Sequence, residues 1–159
     1  LWGVLYGCHY FLPYIQKQGE GHIINTSSMT GFLGFPNQSS YSLTKAAVKG
    51  FSETLNVELA HCNIGVTSIH PGAIRTNILN ATMAHSGADK DTQRMAALVA
   101  RFGRSPEYLA KKVLKAVKAN RMRVVIGPDA WLFEIGKRLF PQWIHVPFRV
   151  AFAKDAQRK

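Results

Sequence analysis

The sequence predicts an α/β protein built on a parallel sheet, and three observations carry that reading. Short β-branched runs, "HIINTSS", "IGVTSIHPG" and "RVVIG", are bounded by serine, glycine or proline. Between them lie stretches with apolar residues at three- and four-residue steps, the period of a helix with one buried stripe. Strands that alternate with helices of this length pair in parallel through right-handed crossovers. At 159 residues, with 47% hydrophobic and 18% charged side chains, the chain has the balance of one globular domain. Three strands are few for such a sheet, and the chain opens on Leu1 inside an apolar stretch, so the expectation is a piece of something longer.

The elements follow in order. Leu1 to about Gln18 is densely apolar and then turns polar and glycine-rich at "QGEGH", as a buried helix does at its end. "HIINTSS" reads as an interior strand that ends at Ser27 or Ser28, followed by a loop over residues 29 to 38 with two glycines and a proline. Ser39 or Ser40 can cap the next helix, because a serine hydroxyl accepts from a free backbone N–H of the first turn. That helix is expected to reach about Cys62, burying Val48, Phe51, Leu55 and Leu59. "IGVTSIHPG" is a second strand stopped by Pro71 and Gly72. Residues 76 to 104 read as a polar, partly helical excursion. Ser105-Pro106-Glu107 starts a helix with a serine cap and proline at the first position. Leu109, Val113, Leu114 and Val117 are expected on its buried face and four lysines on the other. "RVVIG" is the third strand, and "DAWLFEIGKRLF" a final helix broken by Pro141.

Charge is uneven. Residues 1 to 100 hold six Lys/Arg against five Asp/Glu, while 101 to 159 hold fourteen against four, so nearly all of the +11 lies in the second part. That distribution argues against a nucleic-acid reading of the whole chain and directs attention to its end. There Trp131, Phe133, Phe140, Trp143, Phe148 and Phe152 interleave with Lys137, Arg138, Arg149, Lys154, Arg158 and Lys159, a composition suited to an interfacial segment. Pro141, Pro147 and the charges break every apolar run well short of a membrane span. Cys8 and Cys62 form no paired motif, so a reducing, cytoplasmic setting is expected. The six histidines lack ligand spacing, and no metal site is expected.

Chemistry converges at the carboxyl ends of the first two strands, where open α/β sheets bind ligands. Ser28 follows the first strand, Tyr41 and Lys45 stand four apart at the next helix start, and Pro71-Gly72 follows the second strand. A tyrosine is a weak acid–base at neutral pH, and a neighbouring ammonium favours its phenolate. A serine hydroxyl one strand away can hold a carbonyl oxygen while the phenol donates to it. Taken alone, Tyr41 and Lys45 also fit a half-buried ring and a solvated amine; Ser28 and the strand context favour the catalytic reading.

"GHIINTSS", "YSLTKAAVKGFSETLNVEL", "IGVTSIHPGAIRTNI" and the 13-residue gap from Ser28 to Tyr41 together resemble the short-chain dehydrogenase/reductase family, closely over residues 1 to about 79 and loosely beyond. The resemblance implies the C-terminal half of a Rossmann-like doubly wound parallel sheet and an NAD(P)-dependent interconversion of an alcohol and a carbonyl. By it, Tyr41 is the catalytic acid–base, Lys45 favours the phenolate and bonds the nicotinamide ribose, and Ser28 orients the substrate. Ser27 is the competing serine, and the family register favours Ser28. Pro71 and Gly72 would wall the nicotinamide, while Ile74 and Thr76 would hold its carboxamide. The glycine-rich phosphate loop, the residue that selects NAD or NADP and the catalytic asparagine are not in these 159 residues, and the resemblance places them before Leu1.

Residues 1–129 are then expected to be the catalytic part of the domain and 130–159 a basic, aromatic helix and tail. Met29, Phe32, Phe35 and Met83 suggest an apolar, lipophilic substrate, with Met29 and Phe35 beside Ser28 as its contacts. His70 beside Pro71 reads as a core residue at a strand end. The family often pairs subunits through the helices at 1–18 and 39–62, so a homo-oligomer is expected. The alternative is an inactive protein that binds membrane surfaces or nucleic acid through its basic tail.

Overall fold

The computed structural model describes residues 1–78, 80, 81 and 90–156. Its centre is a three-stranded parallel sheet in the order β1-β2-β3, with β1 Gly21–Thr26, β2 Ile64–Pro71 and β3 Arg123–Ile126. Register sets Gly21 opposite Ile64 and Thr26 opposite Ile69, then Ser68 opposite Arg123 and Pro71 opposite Ile126. All three strands therefore end on the same side, and the connections leaving them share one rim.

α1 (Trp2–Gln18) precedes β1 and stops at Gly19, whose left-handed backbone (φ 85°) closes the helix with bonds to the carbonyls of Ile15 and Gln16. α2 (Ser39–Glu58) joins β1 to β2. Cys8 of α1, Leu55 and Leu59 from α2 and its end, and Ile64 and Val66 of β2 form one buried cluster, with Ile15, Ile23 and Phe51 against it. The next residue of β2, Thr67, points the other way and donates to the carbonyl of Arg121 at 2.6 Å. Alternation along the strand thus sends Val66 toward α1 and α2, and Thr67 toward the segment that follows α4 (Pro106–Lys118). β2 is buried on both faces, as a central parallel strand must be.

Several expectations change at this level. The serine cap of α2 does not form: the helix begins at Ser39 itself, Gln38 is its first flanking residue with no side-chain cap, and Ser39 and Ser40 are exposed. Asn37 enters with φ 59°, which starts the helix a residue earlier than a serine cap would. The helix ends at Glu58, short of Cys62. The excursion contains α3 (Lys90–Phe102). In α4 the cap is as read, Ser105 Oγ accepting from Tyr108 N at 3.2 Å, but Leu114 is 60% exposed and Ala116 is buried in its place. The contact stripe is Leu109, Val113, Ala116 and Val117, at i, i+4, i+7 and i+8. α5 (Pro128–Leu139) is not final: past Pro141 a 3₁₀ turn over Trp143–His145 leads into α6 (Val146–Ala156), where Pro147 occupies the first turn that tolerates it. Among the described residues no helix is long and apolar enough to cross a membrane.

Candidate active site

The two serines after β1 divide their work. Ser27 continues the ladder, its N–H donating to Ile69 O at 2.9 Å. It is buried, and its hydroxyl donates to the carbonyl of Lys45 at 2.7 Å. That hydroxyl is spent on tying the strand end to α2. Ser28 is half-buried and extended; its Oγ accepts from Thr30 N at 3.3 Å, and among the described residues no acceptor takes its own proton. A 3₁₀ turn, Met29–Gly31, then bends the chain back across α2.

Tyr41 and Lys45 sit one turn apart on α2, as their spacing requires. The Lys45 ammonium stands 5.6 Å from the centre of the Tyr41 ring and donates to the carbonyl of Thr26 at 2.9 Å. One cation thus joins the end of β1 to the tyrosine's helix. Burial lowers the pKa of Lys45 from its ordinary value. The Tyr41 ring is 47% exposed, so a molecule lying over the rim can reach it. Among the described residues no hydrogen bond joins Ser28 to Tyr41.

The rim is completed by the end of β2. After Pro71, Gly72 N donates to Ile126 O at 2.8 Å and Ala73 N to Asp129 Oδ2 at 2.6 Å. Asp129, in the first turn of α5, lies so close beneath Gly72 that a β-carbon there would meet its carboxylate. Ile74 pairs with Arg104, with Arg75 N donating to Arg104 O at 2.8 Å and Arg104 N to Ala73 O at 2.9 Å. Pro71, Gly72 and Ile74 are half-buried and Thr76 exposed at the rim.

Met29, at the start of the turn after Ser28, is half-buried. The Phe35 ring meets Phe133 edge-on at 5.4 Å and Phe148 at 5.2 Å, so the loop of 29–38 is fastened to α5 and α6. Met83 lies outside the described residues.

Three contributors escape sequence reasoning. His70 is fully buried, with Nδ1 3.1 Å from Ser28 O and Nε2 2.9 Å from Ser68 Oγ. Asp129 holds the turn after β2, and Gly31 lets the serine turn approach α2. The helix that opens at "DAW" is legible in the sequence, but the partner of Asp129 is 56 residues away.

Comparisons with known proteins agree with this geometry. The family model for short chain dehydrogenase matches residues 1–87. A putative oxidoreductase of Mycobacterium tuberculosis, SadH, is 39% identical over 146 residues, 87% of this chain and 51% of that protein. A short-chain dehydrogenase structure from Streptomyces avermitilis superposes with a TM-score of 0.72 at 26% identity, covering 96% of this chain and 58% of its own. Another from Burkholderia cenocepacia, in complex with NADP, gives 0.72 at 24% identity over 92% and 54%. The chain spans about half the length of the curated relatives it matches. A parallel α/β sheet with a serine after one strand and Tyr-x-x-x-Lys opening the next helix, together with a family match over more than half the sequence, establishes that this chain belongs to the short-chain dehydrogenase family.

Proposed function

We propose that this chain carries the catalytic part of an NAD(P)-dependent oxidoreductase that interconverts an alcohol and a carbonyl. The observation that carries the reading is the Lys45 ammonium, held between the Tyr41 ring and the end of β1 on the open rim of the sheet. The residues present fit the nicotinamide end of a dinucleotide: a cation for ribose hydroxyls at Lys45, a small-residue wall at Pro71-Gly72, and backbone and hydroxyl groups at Ile74 and Thr76. When bound, that cofactor takes or gives the hydride at the substrate carbon. In the oxidative direction Tyr41, as phenolate, takes the alcohol proton while the carbon loses hydride. In the reductive direction its hydroxyl returns the proton to the carbonyl oxygen. Lys45 sets its positive charge beside the Tyr41 ring, and Ser28 donates its O–H to the reacting oxygen.

The boundary at 129/130 belongs to this reading: 1–129 are assigned to the catalytic part and 130–159 to a basic, aromatic helix and tail, of which Phe133 and Phe148 pack on Phe35 of the loop. Met29 and Phe35 are assigned to an apolar substrate pocket. Trp2, Tyr6 and Tyr10 stack along the exposed side of α1, an apolar face suited to pairing with a second copy. Trp131, Leu132, Leu139 and Trp143 are exposed beside Arg138, which suits peripheral contact with an anionic membrane.

The decisive experiment is Tyr41→Phe in the full-length protein. Turnover of alcohols or ketones with NAD or NADP should fall by about 10² or more, while dinucleotide binding, read by fluorescence titration, is retained. A variant that keeps more than about a tenth of the rate would overturn the assignment.

A further inference from the structure

We propose that His70 is the positioning residue for Ser28: by holding the serine's backbone carbonyl from β2, it sets where the Ser28 hydroxyl meets the reacting oxygen. The inference rests on the role proposed for Ser28.

The geometry assigns the protons. A carbonyl oxygen only accepts, so the contact of 3.1 Å between Nδ1 and Ser28 O requires the hydrogen on Nδ1. Nε2 is then a lone pair, and it accepts the Ser68 hydroxyl at 2.9 Å. Ser68 is itself buried and lies two residues earlier on the same face of β2. The ring also packs on Phe32, 5.5 Å between centres, on the far side of the serine turn. The imidazole therefore fills the gap between β2 and the residues that follow Ser28, and it offers the turn one directional bond.

That bond differs in kind from the others at Ser28. The Ser28 carbonyl also accepts from Gly31 N at 3.0 Å, and its Oγ accepts from Thr30 N. Both of these shape the turn internally and move with it. Among the described contacts of Ser28 itself, only His70 refers the residue to a different element. The tie is also separate from the cofactor wall, since Gly72 is held by Ile126 and Ala73 by Asp129, without the imidazole. Burial lowers the pKa of His70 from its ordinary value, helped by the Arg123 and Lys49 charges and opposed by the Ser28 carbonyl and Glu134, which agrees with the neutral ring that this bonding needs.

Two amides separate the roles of the two nitrogens. In His70→Asn the side-chain N–H₂ falls near the place of Nδ1 and can still donate to Ser28. In His70→Gln the amide reaches toward Ser68 and leaves the Ser28 carbonyl without its partner on β2. In the full-length enzyme, His70→Asn should stay within roughly threefold of the wild-type kcat, whereas His70→Gln should lose about tenfold or more, on the scale of a sub-ångström misplacement. Dinucleotide Kd should be unchanged in both, and the two melting temperatures should fall together. Equal kcat in the two variants, or a loss of cofactor affinity that tracks the loss of kcat, would overturn the proposal.

Two measurements keep it decidable. The imidazole ¹⁵N shifts of His70 in the wild-type protein should show a protonated Nδ1 and an unprotonated Nε2, and the opposite tautomer refutes the bond even if a variant does not fold. Ser28→Ala tests the underlying reading separately. If it retains full turnover, the role of Ser28 fails; if it is inactive while His70→Gln and His70→Asn behave alike, only the positioning inference fails.

Discussion

Substituting Gly31 by alanine should separate the serine from the tyrosine without removing any catalytic group. Gly31 closes the 3₁₀ turn where it crosses α2, and a β-carbon added there would stand 2.7 Å from Ser27 Oγ and 3.0 Å from Lys45 O. Non-bonded atoms with carbon prefer about 3.5 Å or more, so the neighbours across this seam must give way by roughly 0.5–0.8 Å. Neither neighbour yields freely. The Ser27 hydroxyl is bonded to that same Lys45 carbonyl, and the carbonyl is part of the helix backbone. Overpacking costs about 1–3 kcal/mol, and losing the Ser27–Lys45 bond adds about 0.5–1.5 kcal/mol. For a protein of some 150–250 residues each kcal/mol moves the melting temperature by about 2–4 °C, so a fall of roughly 3–18 °C is expected. Because Ser28 lies on one side of the seam and Tyr41 with Lys45 on the other, kcat should also drop about tenfold or more. Differential scanning calorimetry and steady-state kinetics well below the transition would measure both. Gly34→Ala is the control, since nothing lies within 4 Å of a β-carbon there. Wild-type kcat and melting temperature in Gly31→Ala would refute the claim that this close approach assembles the site.

Three further outcomes follow from the same contacts. Asp129→Ala frees the Ala73 N–H and should weaken dinucleotide binding, with a cost of about 1.5–3 kcal/mol for a lost charge-assisted bond; titration of the variant with NAD and NADP checks it, and unchanged Kd values would count against Asp129 as the support of the cofactor wall. Burial lowers the pKa values of His22, His70 and His145 from 6.5. The unfolded chain then binds more protons than the folded one as the pH falls below about 6.5, so stability present above that value is lost on acidification. Urea titrations from pH 7.5 to 5 should show this decline, less steep in His70→Asn; stability that is level across the range would contradict it. Finally, Arg138→Glu combined with Trp143→Ser should reduce sedimentation with phosphatidylserine vesicles and leave it unchanged with neutral ones; equal sedimentation of variant and wild type removes the membrane contact from the proposed function.

The sequence by itself determined the three strands and most of the helices, and it singled out the side chains proposed to react, because these signals are local. β-branched runs bounded by glycine, serine and proline placed the three strands, Ser105-Pro106 announced α4 together with its cap, and Tyr41 and Lys45 needed only a helix to share a face. The tertiary structure decided how those side chains are held. Whether Leu114 or Ala116 of α4 touches the sheet depends on how closely the helix approaches it, and a small residue won the contact. Which of two adjacent serines is free depends on the carbonyl of Lys45, 18 residues away, capturing Ser27. The imidazole of His70 meets Ser28 across 42 residues and the carboxylate of Asp129 meets Ala73 across 56. Such bonds leave no period or motif in the chain, since they form only after β2 has brought the rim together; a hydrogen bond is directional and short, and the partner it selects is set by the packing of the strands and not by any spacing along the sequence.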